Sequence, residues 1–117
     1  MRFMMLIHHD ESALTPAISK GLAVEYRVFM EALAKAEGCT AGERLQSSTL
    51  ATTVRQHDGK TEVLDGPYAD TKEQLAGYFV VDVPSVDEAI TWAKRCPSSN
   101  YGSIEIRPMF DPSGSKR

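Results

Sequence analysis

Only two of the 117 residues are cysteine, Cys39 and Cys96, and neither lies in a CxxC pair. That is too few for a disulfide scaffold, so both are read as reduced thiols of a cytoplasmic protein. Charge of one sign is also missing. Thirteen Lys and Arg stand against sixteen Asp and Glu, a net of −3. Nothing supplies the basic patch that drives nucleic-acid affinity, so no direct nucleic-acid partner is expected. The first apolar run, up to Ile7, is too short for a secretory leader, and no run approaches the ~18 residues of a membrane span. No glycine-rich phosphate loop, no G-x-S-x-G elbow and no HExxH is present, so no cofactor is expected.

What is present is ordinary globular composition, 42% hydrophobic and 25% charged. The chain reads as a single domain over residues 1–110 with a polar tail at 111–117. If compact, it would have a radius near 13 Å. Residues 2–8 are apolar on both faces, as a covered central strand requires. Ile18, Leu22, Tyr26, Phe29, Leu33 and Ala36 form one helical stripe over residues 16–37. Thr15 is placed to cap that helix, Pro16 suits its first turn and Gly38 its end.

Residues 50–57 and 60–64 flank Asp58-Gly59, a two-residue hairpin signal. Asp65-Gly66-Pro67-Tyr68 is a turn, residues 70–74 are read as one helical turn, and 77–83 as a strand. Ser85 and Glu88 open a second helix running to about Arg95, with Val86, Ala89, Ile90 and Ala93 inward. Residues 103–109 form a closing strand. The order β-α-(ββ)-β-α-β specifies an α+β, ferredoxin-like fold with an added hairpin. Helices on one face leave the other face bare, so a homodimer is expected.

The segment Asp65-Gly-Pro-Tyr-Ala-Asp-Thr-Lys-Glu-Gln-Leu75, followed by Gly77, resembles the signature of the DGPF branch of the YCII-related family, with Tyr68 in place of the usual Phe. Further matches are Met4-Met-Leu-Ile7, Ala51-Thr-Thr-Val-Arg55, Asp87-Glu-Ala89, Trp92-Ala93, Cys96-Pro97 and Glu105-Ile-Arg-Pro108. The likeness covers residues 2–110. It implies a dimeric α+β barrel. Some relatives are fused to or encoded beside sigma factors. Some YCII-type relatives are lyases that act on chlorinated aromatic breakdown products through a His–Asp pair. The positions of that pair fall at Tyr26 and Cys96 here, so the dyad does not carry over.

Two functional readings follow. In the first, each subunit holds a small, anionic molecule near the motif and moves a proton without a cofactor. Asp65 and Glu73 would be the catalytic carboxylates. Arg55, Tyr68, Lys72 and His8 would bind the ligand, Arg55 and Lys72 through its negative charge. Each also has a plain structural role open to it: Asp65 in turn hydrogen bonds, Arg55 paired with Glu62 across the hairpin, Lys72 and Glu73 as solvated charges. Either His8 or His9 could carry a proton near neutral pH. Adjacent strand residues face opposite ways, so the two histidines do not make a metal site. The second reading is a non-enzymatic accessory module that reaches transcription initiation through protein contacts.

Overall fold

A computed structural model describes residues 1–112. The last five residues of the expected polar tail, 113–117, lie outside the described residues. The elements are β1 (Arg2–His9), α1 (Pro16–Lys35), β2 (Cys39–Arg44), β3 (Thr52–His57), β4 (Lys60–Asp65), β5 (Gln74–Asp82), α2 (Val86–Arg95) and β6 (Gly102–Pro108). Four strands form one antiparallel sheet in the order β2-β5-β1-β6. Both helices cross one face of it. This is the ferredoxin-like arrangement.

The main difference from the sequence reading is β2, which residues 39–44 form. Cys-Thr-Ala-Gly-Glu-Arg carries no apolar alternation, because an edge strand with a bulge buries little. Its register on β5 shifts between Thr40 and Glu43. Gly42 sits so close to β5 that a Cβ there would collide with the Tyr78 carbonyl. The helical turn expected at 70–74 is also absent. The Thr71 hydroxyl donates to the Glu73 carbonyl at 2.7 Å, and Gln74 Nε2 donates to the Thr71 carbonyl at 2.6 Å. These side chains satisfy the backbone in a bend, and Gln74 already opens β5. The first helix ends at Lys35 rather than at residue 37.

Thr15 Oγ1 accepts from the Ile18 amide at 3.2 Å, and Ser85 Oγ caps α2. The core joins Phe3, Met5 and Ile7 of β1 to Phe79 and Val81 of β5 and to Phe29 and Leu33 of α1. Phe29 packs edge-on against Phe79 and Trp92. On α2 only Ala89 and Ala93 are buried. Val86 and Ile90, expected inward, are exposed because the short helix meets the sheet through its small residues.

The hairpin β3–β4 is a two-stranded sheet of its own, tied at its base by the Gly66 amide to the Ala51 carbonyl, 2.7 Å. Asp58 and Gly59 take positive φ, 49° and 76°, as its two-residue turn demands. This arm makes the molecule a slab of 45 × 44 × 19 Å with a radius of gyration of 16.2 Å, well above the ~13 Å of a compact chain this long. The sheet face away from the helices carries Met4, Leu6 and Val80, half-buried, and neither helix covers it among the described residues.

Candidate functional site

The site begins where β1 ends. Successive side chains of a strand leave by opposite faces, and His8 and His9 do so. His9 turns to the helix side and is buried; His8 stays half-buried on the open face. Gly102 on β6 lets the strands close up here, since a Cβ there would collide with the His8 carbonyl oxygen and crowd the His9 Cδ2 at 3.1 Å. His9 Nε2 is buried with no hydrogen-bond partner. Burial and then the Arg44 cation push the His9 pKa below its ordinary 6.5, while Glu73 pulls the other way. The imidazole is therefore held neutral and left unsatisfied, a state that costs stability unless something pairs with it.

The ring lines a cleft of about 510 Å³ beneath α1. Its walls are Ile7, Leu14, Leu22, Met30 and Phe79, with Tyr26, Arg44 and Glu11 among the polar residues. An apolar hollow with a few converging polar groups is the usual form of a small-molecule site. Glu11 fixes the rim. Its carboxylate accepts the Ser48 amide at 2.8 Å and the Ser48 hydroxyl at 2.9 Å, and its own amide donates to Gln74 Oε1 at 2.9 Å.

A second, more open cleft lies beyond the 44–47 wall, toward the hairpin. His8, Tyr68 and Glu73 line it, so three of the six residues singled out from the sequence do converge. His8 Nε2 is 3.3 Å from Glu105 Oε1, and Glu73 Oε1 accepts from the Ser103 hydroxyl at 2.7 Å. The other three do not join them. Asp65 ends β4, exposed, across from Thr52; Arg55 is exposed on β3 across from Glu62; Lys72 is exposed in the bend. None of the three lines either cleft. Tyr68 is 81% exposed. Among the described residues no three His, Cys, Asp or Glu gather as a metal group.

Tyr26 and Cys96 meet. The Tyr26 hydroxyl lies 3.3 Å from Cys96 Sγ and also hydrogen-bonds the Ser98 hydroxyl. Cys96 and Ser98 are wholly buried. Burial, aided by the Cys96 contact, pushes the Tyr26 phenol far up, and burial raises the Cys96 thiol. Neither group is an acid or nucleophile near neutral pH. The trio ties α1 to the turn after α2.

A model of the YCII-related domain matches residues 1–112. The chain belongs to the YCII-related family. One relative is an uncharacterised protein of Rhizobium meliloti, 39% identical over 119 residues, an alignment covering 93% of this chain and 92% of that protein. Among solved structures, the 5-chloro-2-hydroxyhydroquinone dehydrochlorinase of Burkholderia phenoliruptrix, in complex with 2,5-dihydroxybenzoquinone, superposes with a TM-score of 0.57. It covers 99% of this chain and 100% of that one at 12% identity, a likeness of fold. No helix among the described residues is long and apolar enough to cross a membrane.

Within this YCII-related chain the local sequence signals point to residues 65–74, to His9 only as an alternative to His8, and not to Arg44 or Glu11. Strand parity does send one histidine of the pair to the helix side. Nothing local marks Arg44, because the strand that carries it was not legible.

Proposed function

We propose that this protein is a dimeric α+β barrel protein that binds a small molecule in the cleft beneath α1 and moves a proton through His9. The observation that carries this is a buried, neutral imidazole with an unpartnered nitrogen in the wall of an apolar cleft. A neutral imidazole accepts a proton from a weakly acidic ligand and can return it elsewhere. Glu73 of the motif stands on the acidic side of His9 and would favour the imidazolium that forms. No step here needs a resident cofactor. The dehydrochlorinase of the same fold has a hydroxylated ring compound for its substrate, which supports a ring-sized ligand.

The bare sheet face supports the dimer: Met4, Leu6 and Val80 would be covered by a second copy. Asp65, Arg55 and Lys72 stay in the proposal as groups that could reach a ligand only if such a copy closes over the outer cleft. Two unpaired thiols keep the reading of a reducing, cytoplasmic compartment.

A second reading rests on exposure. Tyr68, Val54 and Val63 are 81%, 61% and 62% exposed around the hairpin and the motif. An apolar, solvent-facing arm suits a protein contact, as an accessory module in transcription would use.

The test is a screen of small hydroxylated and carboxylated ring compounds by amide shift perturbation. Shifts gathered at residues 7–9, 19–26 and 76–79 are expected. Shifts confined to residues 52–69, or none anywhere, would overturn the cleft as the ligand site.

A further inference from the structure

The cleft beneath α1 is lined by a cation, Arg44, that makes no ion pair among the described residues. Arg44 pairs opposite Gly77, which pairs with the buried Ile7, so its side chain leaves on the helix face. Glu43 pairs opposite Tyr78 and leaves by the other face. The nearby carboxylates Glu11 and Glu73 keep their charge but take their hydrogen bonds from Ser48 and Ser103 rather than from Arg44. None of the ion pairs among the described residues includes Arg44. Arg44, solvent-exposed and outside those ion pairs, therefore lines the same apolar hollow as an imidazole that is more than nine-tenths buried and unpartnered.

Resting on the reading of this cleft as the ligand site, we infer that its ligand is an amphipathic monoanion: a carboxylate, phenolate or enolate oxygen group held by Arg44 and His9, on an apolar body lying under α1. The guanidinium fork matches a carboxylate with two parallel N–H bonds, and its N–H groups can converge on the single oxygen of a phenolate or enolate. A cation would be repelled by Arg44, and the Glu11 carboxylate that could offset this is already bonded to Ser48. A neutral apolar molecule would fill the hollow and leave both polar groups unpaired.

The charged and titratable groups around His9 are Arg44 from β2, Glu73 ahead of β5, Glu11 after β1 and Tyr26 from α1. Arg44 opposes protonation of His9, and a bound anion offsets Arg44. Binding then draws a proton onto the imidazole, so affinity rises as pH falls from the His9 pKa of the complex to the lower one of the free protein.

Three probes of one shape separate the possibilities: 1-naphthoate, neutral 1-naphthamide and cationic 1-naphthylmethylammonium. Each is titrated against the full chain by amide shifts, and naphthoate also by calorimetry in two buffers of different ionisation enthalpy. Naphthoate should shift His9 and Gly77–Phe79, bind at least about tenfold more tightly than naphthamide, and take up protons. Arg44→Gln should reduce naphthoate to the level of naphthamide, and Arg44→Lys should keep part of the preference. Equal binding of naphthoate and naphthamide in the cleft, or a preference that survives Arg44→Gln, overturns the anion inference and leaves the cleft standing. No shift at cleft residues with any probe overturns the cleft itself.

Discussion

Replacing Tyr26 by Phe isolates one oxygen atom. That oxygen bonds the Ser98 hydroxyl and approaches Cys96 Sγ at 3.3 Å, and both partners are wholly buried. Phe keeps the ring and its edge contact with Phe29, 6.2 Å between centroids. What is lost is one hydrogen bond, and what is left is a buried Ser98 hydroxyl with nothing to bond. An orphaned buried group costs about 1–3 kcal/mol. In a domain of this size that is a fall in Tm of about 4–10 °C. Ser98→Ala should cost less, since the Tyr26 hydroxyl keeps its contact with Cys96 Sγ. The double variant should recover part of the loss, because replacing both polar partners together removes the orphan. Urea unfolding at fixed protein concentration gives all four stabilities. A Tyr26→Phe protein within about 0.5 kcal/mol of the parent, with no coupling to Ser98, would refute the claim that this trio is a structural tie.

Acid should weaken the fold through His9. Its pKa is lowered in the folded state, so the unfolded chain takes up a proton first; the contribution is complete above about 6.5 and is lost as pH falls from there, by at most about 1.4 kcal/mol per pH unit. His9→Asn should flatten that part of the stability–pH curve, and an unchanged slope would show that His9 is not held neutral. Light scattering at micromolar concentration should give about twice 12.9 kDa, and a monomer would mean the bare sheet face needs no cover. Asp65→Asn should leave Tm unchanged, since its carboxylate is exposed at a strand end; a fall of several degrees would show that the turn depends on it.

The parts of the fold legible in the sequence are those whose signal is local. The stripe from Ile18 to Ala36, the Thr15 and Ser85 caps and the Asp58-Gly59 turn each act within a few residues. Residues 39–44 become a strand only because β5 offers an edge, and no pattern in them says so. Residues 70–74 bend because Thr71 and Gln74 capture backbone carbonyls, which outcompetes a helical turn. The cleft was illegible for a related reason. His9 with Glu11, Tyr26 and Arg44 come from three separate segments that meet only in three dimensions. The motif at 65–75 was conspicuous as a string, yet its carboxylate Asp65 and its Lys72 face solvent, and only Glu73 stands near the imidazole.

A crystal structure grown with 1-naphthoate tests the central claim most directly, because it locates the ligand. The account predicts the naphthalene ring beneath α1 against Leu22 and Phe79, with the carboxylate on Arg44 and a nitrogen of His9. A ligand seated only in the outer cleft beside Tyr68, with the space beneath α1 unchanged, would contradict it.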